Sequence, residues 1–112
     1  MLEGIGGNIE NYMTMLSASQ KVTASNIANV DTPGYRAKEV DFGSMLDASM
    51  STPPRIVNAT GLREKSDGNN VDLDHEARML AENALRFNVA SNLLRSELQG
   101  IKSALQDGSQ SS

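Results

Sequence analysis

The stretch "VDLDHEARMLAENALRFNVASNLLRSELQGIKSAL" runs from Val71 to Leu105. Within it Leu73, Ala77, Leu80, Ala84, Phe87, Ser91, Leu94, Leu98, Ile101 and Leu105 follow one another in unbroken steps of four and three. Only Ser91 is polar. Steps that average three and a half residues place these side chains on one face of an α-helix as a heptad seam. Asp72 suits the N-cap, because its carboxylate accepts from the free N–H groups of the first turn. Asp74 and Glu76 complement the positive end of the helix dipole. Asp107-Gly108 predicts the stop, which gives a helix over 72–106 and a tail over 107–112.

A second seam lies near the other end of the chain. Ile9, Met13, Leu16, Gln20, Thr23, Ile27 and Val30 repeat the same steps, with Gln20 and Thr23 as polar breaks. Gly4, Gly6 and Gly7 weaken helix before it. Thr32 precedes Pro33 and so avoids the α region, which ends the helix near Val30. The expected helix spans 9–30. If the chain returns along itself, Val30 lies opposite Leu73, Leu16 opposite Phe87 and Ile9 opposite Leu94. Leu98, Ile101 and Leu105 are then left without a partner, and exposed apolar stripes mark interaction surfaces. The expected fold class is all-α: antiparallel N- and C-terminal helices in a coiled-coil hairpin, joined by a long, partly extended connection over 31–71. In that connection Val40 and Phe42 alternate with Glu39 and Asp41, which predicts a short extended piece. Ser44 to Met50 fits a brief helical turn. Ser66 to Asn70 is loop chemistry.

Composition narrows the function. The chain has 112 residues, so one domain over 1–112 is expected. Aromatic residues make up 4% and there is no Trp, which leaves a thin core and suggests folding on assembly. The net charge of −4 and pI near 4.8 provide no basic footprint for nucleic acid. The chain has no cysteine. Its N-terminus carries no basic, apolar leader, and no stretch is long and apolar enough to span a membrane. His75 stands among Asp72, Asp74 and Glu76, but three carboxylates in a first turn read as dipole complements rather than metal ligands. The glycines at 4–7 follow no strand and precede no Lys-Ser/Thr, so they form no phosphate loop. No catalytic site, metal, cofactor or small-molecule substrate is expected.

One local pattern stands out. In "SNIANVDTPGY", Ser25 to Tyr35, Asn26 and Asn29 sit three apart on one helix edge before Thr32-Pro33-Gly34-Tyr35. Two readings stay open. Asparagine favours helix ends, and Pro33-Gly34 suits a type II turn with positive φ at Gly34. Alternatively the two amides, which both donate and accept, fix the register between packed helices.

The same residues carry a family resemblance. Asn26, Ala28, Asn29, Thr32, Gly34 and Tyr35 match the signature of flagellar basal-body rod and hook-type axial proteins, with Ser25 where many relatives have another asparagine. "TPGYRAKEVDF" and "DGNNVDLDHEARMLAENALRFN" resemble the proximal rod type. Both ends of the chain share the resemblance, whereas 43–66 matches weakly and is short. The resemblance implies a non-enzymatic structural subunit that stacks helically to carry torque and form the export tube. It implies that Asn26, Ala28, Asn29, Thr32, Pro33, Gly34 and Tyr35 form a subunit-packing motif, with Tyr35 against a neighbour. The implied partners are other copies of the chain, other rod proteins, and export-gate and inner-ring components at the rod base. The implied location is the basal-body rod in the periplasmic space, reached through the flagellar type III apparatus without a cleaved signal. A needle or adaptor subunit of a related secretion system is the alternative, and a connection of this length argues against it.

Overall fold

The computed structural model describes residues 7–43 and 53–111. The expected turn over 44–50 and the glycines at positions 4 and 6 lie outside the described residues. The elements run α1 (Gly7–Ala28), β1 (Lys38–Val40), β2 (Ile56–Asn58) and α2 (Leu73–Ser111). The chain is therefore mostly helical, with a small two-stranded antiparallel sheet in the connection. β1 pairs with β2 in the register Lys38 to Asn58, Glu39 to Val57 and Val40 to Ile56.

Local chemistry explains most element ends. Asp72 caps α2, its Oδ1 accepting from the N–H of Asp74 at 3.0 Å and of His75 at 3.3 Å. α1 closes at Ala28 with a tightened last turn, in which the Val30 N–H donates to the Ile27 carbonyl. The expected stop at Asp107-Gly108 is corrected: α2 continues through both residues to Ser111. A glycine stops a helix by adopting positive φ. Among the described residues the positive-φ glycines are Gly34, Gly61 and Gly68, so Gly108 is simply a weak helical residue.

The core is small and divided, as the shortage of aromatics requires. Met15, Val22 and Val40 pack together with Ala18 and Phe42. Tyr12 meets Phe42 edge to face, with ring centroids 6.3 Å apart. Ala37, Ala59 and Val71 form a second cluster under Val30, Tyr35 and Leu62. Neither cluster contains a residue of α2.

The helices meet instead along a line of small and polar side chains. Asn83 Nδ2 donates to Ser19 Oγ at 2.8 Å, and Asn26 Nδ2 donates to Glu76 Oε1 at 3.0 Å. Residue numbers thus rise along α1 as they fall along α2. The buried residues of α1 are Met15, Leu16, Ser19, Val22, Thr23 and Asn26. Those of α2 are Glu76, Asn83 and Ala90. The expected seams are buried within the single chain only in part. Leu16 and Thr23 are buried, and Ile9, Met13, Ile27, Val30, Leu80, Leu94 and Ile101 are half-buried. Leu73, Ala77, Ala84, Phe87, Leu98 and Leu105 are exposed. At 3.6 residues per turn, each contact line lies roughly 60–70° around the helix from the heptad line. The physical reason is that α1 serves two neighbours at once. Met15 and Val22 turn toward β1, which carries Ser19 and Asn26 round to face α2.

Candidate functional site

Two glycine turns form the corner where the chain leaves α1 and enters α2. The Tyr35 N–H donates to the Thr32 carbonyl, and Gly34 has φ of 75°, as a type II turn requires. The Gly34 N–H then donates to the Asp67 carbonyl at 2.8 Å. Gly68, with φ of 85°, closes the second turn by donating to the Lys65 carbonyl. The turns are back to back: a Cβ on Gly68 would lie 3.4 Å from Gly34 Cα.

Four asparagines lock this corner, two from each side. Asn69 Nδ2 donates to the carbonyls of Asn29 and Thr32, both at 2.8 Å, while its Oδ1 accepts from the Val71 N–H. Both carbonyls also accept a backbone N–H, that of Asn29 from Thr32 and that of Thr32 from Tyr35, so Asn69 adds a second bond to each. Asn70 Oδ1 accepts from the Ala37 N–H at 2.6 Å. Asn29 stays local, donating to the Ser25 carbonyl and accepting from Thr32 Oγ1.

Asn26 has the widest reach. Its Nδ2 donates to the Lys38 carbonyl at 2.8 Å as well as to Glu76, and its Oδ1 accepts from the Lys38 N–H and the Tyr35 hydroxyl, each at 3.0 Å. Two donors and two acceptor sites are the full capacity of a carboxamide, and Asn26 is 1% exposed. The ladder explains the match. The Ala59 N–H donates to Ala37 and the Asp41 N–H to Arg55, so Lys38 between them turns its N–H and C=O away from β2. Asn26 pairs with both groups as a neighbouring strand would.

Glu76 is 2% exposed, and burial raises its pKa above the ordinary carboxylate value. The Asn26 bond and His75 oppose that rise, and Asp72 and Glu39 add to it. The first-turn reading of Glu76 as a dipole complement is therefore incomplete. It is a buried linker between the start of α2 and the end of α1.

The packing motif read from the sequence divides in two. Asn26, Asn29 and Tyr35 are committed within the chain. Tyr35 packs on the cluster of Ala37, Ala59 and Val71 and stays half-buried. Ala28, Thr32, Pro33 and Gly34 are exposed at the corner. Asn69, Asn70 and Glu76 are the residues that sequence reasoning missed. Their signal was the second asparagine pair before a helix, read only as a turn. The arrangement holds no nucleophile beside a base; what it can do is fix the angle and register of α1, β1 and α2.

A second unexpected feature is apolar. Leu85, Val89 and Leu93 are 65%, 52% and 55% exposed and, with Ile9 and Tyr12, line an open groove beside the helix contact.

The corner overlaps the segment that a known protein family shares. The family model described as "Flagella basal body rod protein" matches residues 13–36, which include Asn26, Asn29 and the Gly34 turn. The chain is 31% identical over 126 aligned positions to the flagellar basal body rod protein FlgB of Bacillus subtilis, covering 96% of this chain and 98% of that one. It is 31% identical to FlgB of Escherichia coli and 29% to FlgB of Salmonella typhimurium, each over 88% of this chain and 91% of the other. With that identity sustained across nearly the whole of both sequences, the chain belongs to the FlgB family of flagellar basal body rod proteins.

Proposed function

We propose that this rod-family chain is a self-assembling structural subunit of the proximal rod. Residues 1–112 act as one axial domain, and α1 and α2 form an antiparallel coiled-coil hairpin within it. Copies stack helically, carry torque and leave a central export tube. Other copies of the chain, other rod proteins, and the export gate and inner ring at the rod base are the partners. The working location is the periplasmic section of the basal body, reached unfolded through the flagellar type III apparatus without cleavage.

The observation that carries the reading is the uncovered apolar line on α2. Leu73, Phe87, Leu98 and Leu105 are exposed on a helix of 39 residues that outruns its 22-residue partner. An apolar stripe of this length on a single chain calls for coverage by other chains. The locked corner supports the same reading, because a subunit that transmits torque needs a fixed angle between its arms.

Complementation tests it. A strain lacking the chain should regain motility and a complete rod with the wild type, but not with Leu98→Asp, Leu105→Asp, although that variant is still exported. Full motility from the double aspartate variant would refute assembly through this face.

A further inference from the structure

The two heptad lines do not meet each other; they border a common groove. Gln20 from the first line and Ala84 and Phe87 from the second share a groove of about 520 Å³ with Ser17 and Asn88. The rotation of the contact lines explains this. When two antiparallel helices each turn the same way about their own axes, both displaced lines swing to one flank.

A matching occupant exists on the same chain, out of its own reach. Continuing the pairing of Asn26 with Glu76 and Ser19 with Asn83 places Gly7 opposite Arg95. Beyond that point α2 projects by about 25 Å at 1.5 Å per residue. Leu98, Ile101 and Leu105 continue the spacing of Leu80, Ala84 and Phe87 on this projecting end. Leu98 is 50% and Leu105 69% exposed.

We infer that the projecting end of α2 in one copy lies in the Gln20, Ala84 and Phe87 groove of the next. Leu98, Ile101 and Leu105 act as knobs between the two heptad lines. The inference rests on the self-assembly reading and names its two surfaces. The contact is head to tail, because groove and projection are different parts of the chain. Such a contact generates an open helical array when its rotation does not close a ring.

The absence of cysteine makes the test direct. Full-length Ala84→Cys and Leu98→Cys chains are mixed, assembled and oxidised, and the sedimented and soluble fractions are compared. A disulfide needs Cα atoms within about 7 Å. The expected result is a mixed dimer, one Ala84→Cys chain bonded to one Leu98→Cys chain, in the sediment at several-fold above its level in the soluble fraction. It should equally exceed the mixed dimer from a Thr60→Cys, Leu98→Cys control. Sedimenting assemblies in which the mixed dimer is no more abundant than the control would overturn the inference and leave self-assembly standing. So would a predominance of Leu98→Cys homodimers, which would set the projecting ends against each other. Wild-type chains that never sediment would overturn the self-assembly reading, and the inference with it.

Discussion

Asn26→Asp is the sharpest probe of the corner, because it preserves shape and removes only donors. Asn26 makes four hydrogen bonds, three to neutral groups and one to the Glu76 carboxylate. Neutral bonds contribute about 0.5–1.5 kcal/mol each and a bond to a charged group about 1.5–3. Asn26→Ala should therefore cost about 3–7 kcal/mol, much of the 5–15 or so that holds a typical domain. Aspartate keeps the acceptor that serves the Lys38 N–H and Tyr35. Its other oxygen, however, faces the Lys38 carbonyl and a second carboxylate at the present 3.0 Å separation. At neutral pH it should be no better than alanine. Acid should separate the two variants. Adjacent carboxylates raise each other's pKa in the folded state alone, so the folded chain binds more protons and stability falls as pH rises through that range. Asn26→Asp should recover markedly between about pH 7 and pH 5, and by more than Asn26→Ala, in which the raised Glu76 carboxyl alone gives a pH dependence. Urea titration of the helical signal measures this, and hydrogen exchange of the Lys38 amide reports the corner itself. An Asn26→Asp chain as stable as wild type at neutral pH would refute the assignment of Asn26 as a saturated linker.

Two other substitutions probe the backbone and the buried charge. Gly34→Ala should lower stability by about 1–2 kcal/mol through backbone strain alone, since a Cβ there meets nothing within 4 Å; valine should cost more and asparagine less, and a valine variant with an unchanged melting temperature would count against the positive φ. Glu76→Gln should remove a pH dependence: the raised carboxyl favours folding while protonated and loses that advantage as pH rises through its folded value, so wild-type stability should decline from acid to neutral pH while the glutamine variant stays level and at least as stable at neutral pH, and parallel pH profiles in denaturant titration would contradict this.

Local signals were legible in the sequence, and signals that depend on distant residues were not. The Asp72 cap and the Gly34 turn each need only a few neighbouring residues, and both stand where the sequence put them. The two helices were legible from their period. Their facing sides were not, because apolar periodicity marks one line on each helix while the contact runs through Ser19, Asn83, Asn26 and Glu76. Each of these reads as a surface residue until its partner is known. β2 was invisible for a similar reason: Ile-Val-Asn is too short to show alternation, and its pairing with β1 spans the connection. Asn69 and Asn70 satisfied a turn reading by themselves, which concealed their bonds to Asn29, Thr32 and Ala37.

The way Asn26 covers Lys38 bears on how the chain avoids aggregation before it assembles. An open strand edge templates further strands and leads toward cross-β stacking. In this chain a single carboxamide occupies the outward N–H and C=O of Lys38 at the centre of the corner. The opposite edge belongs to β2, which is only three residues long. Sealing the sheet with a side chain leaves neither edge long enough to recruit a stray strand. Loss of Asn26 should therefore show first as amyloid-type dye binding in concentrated stocks.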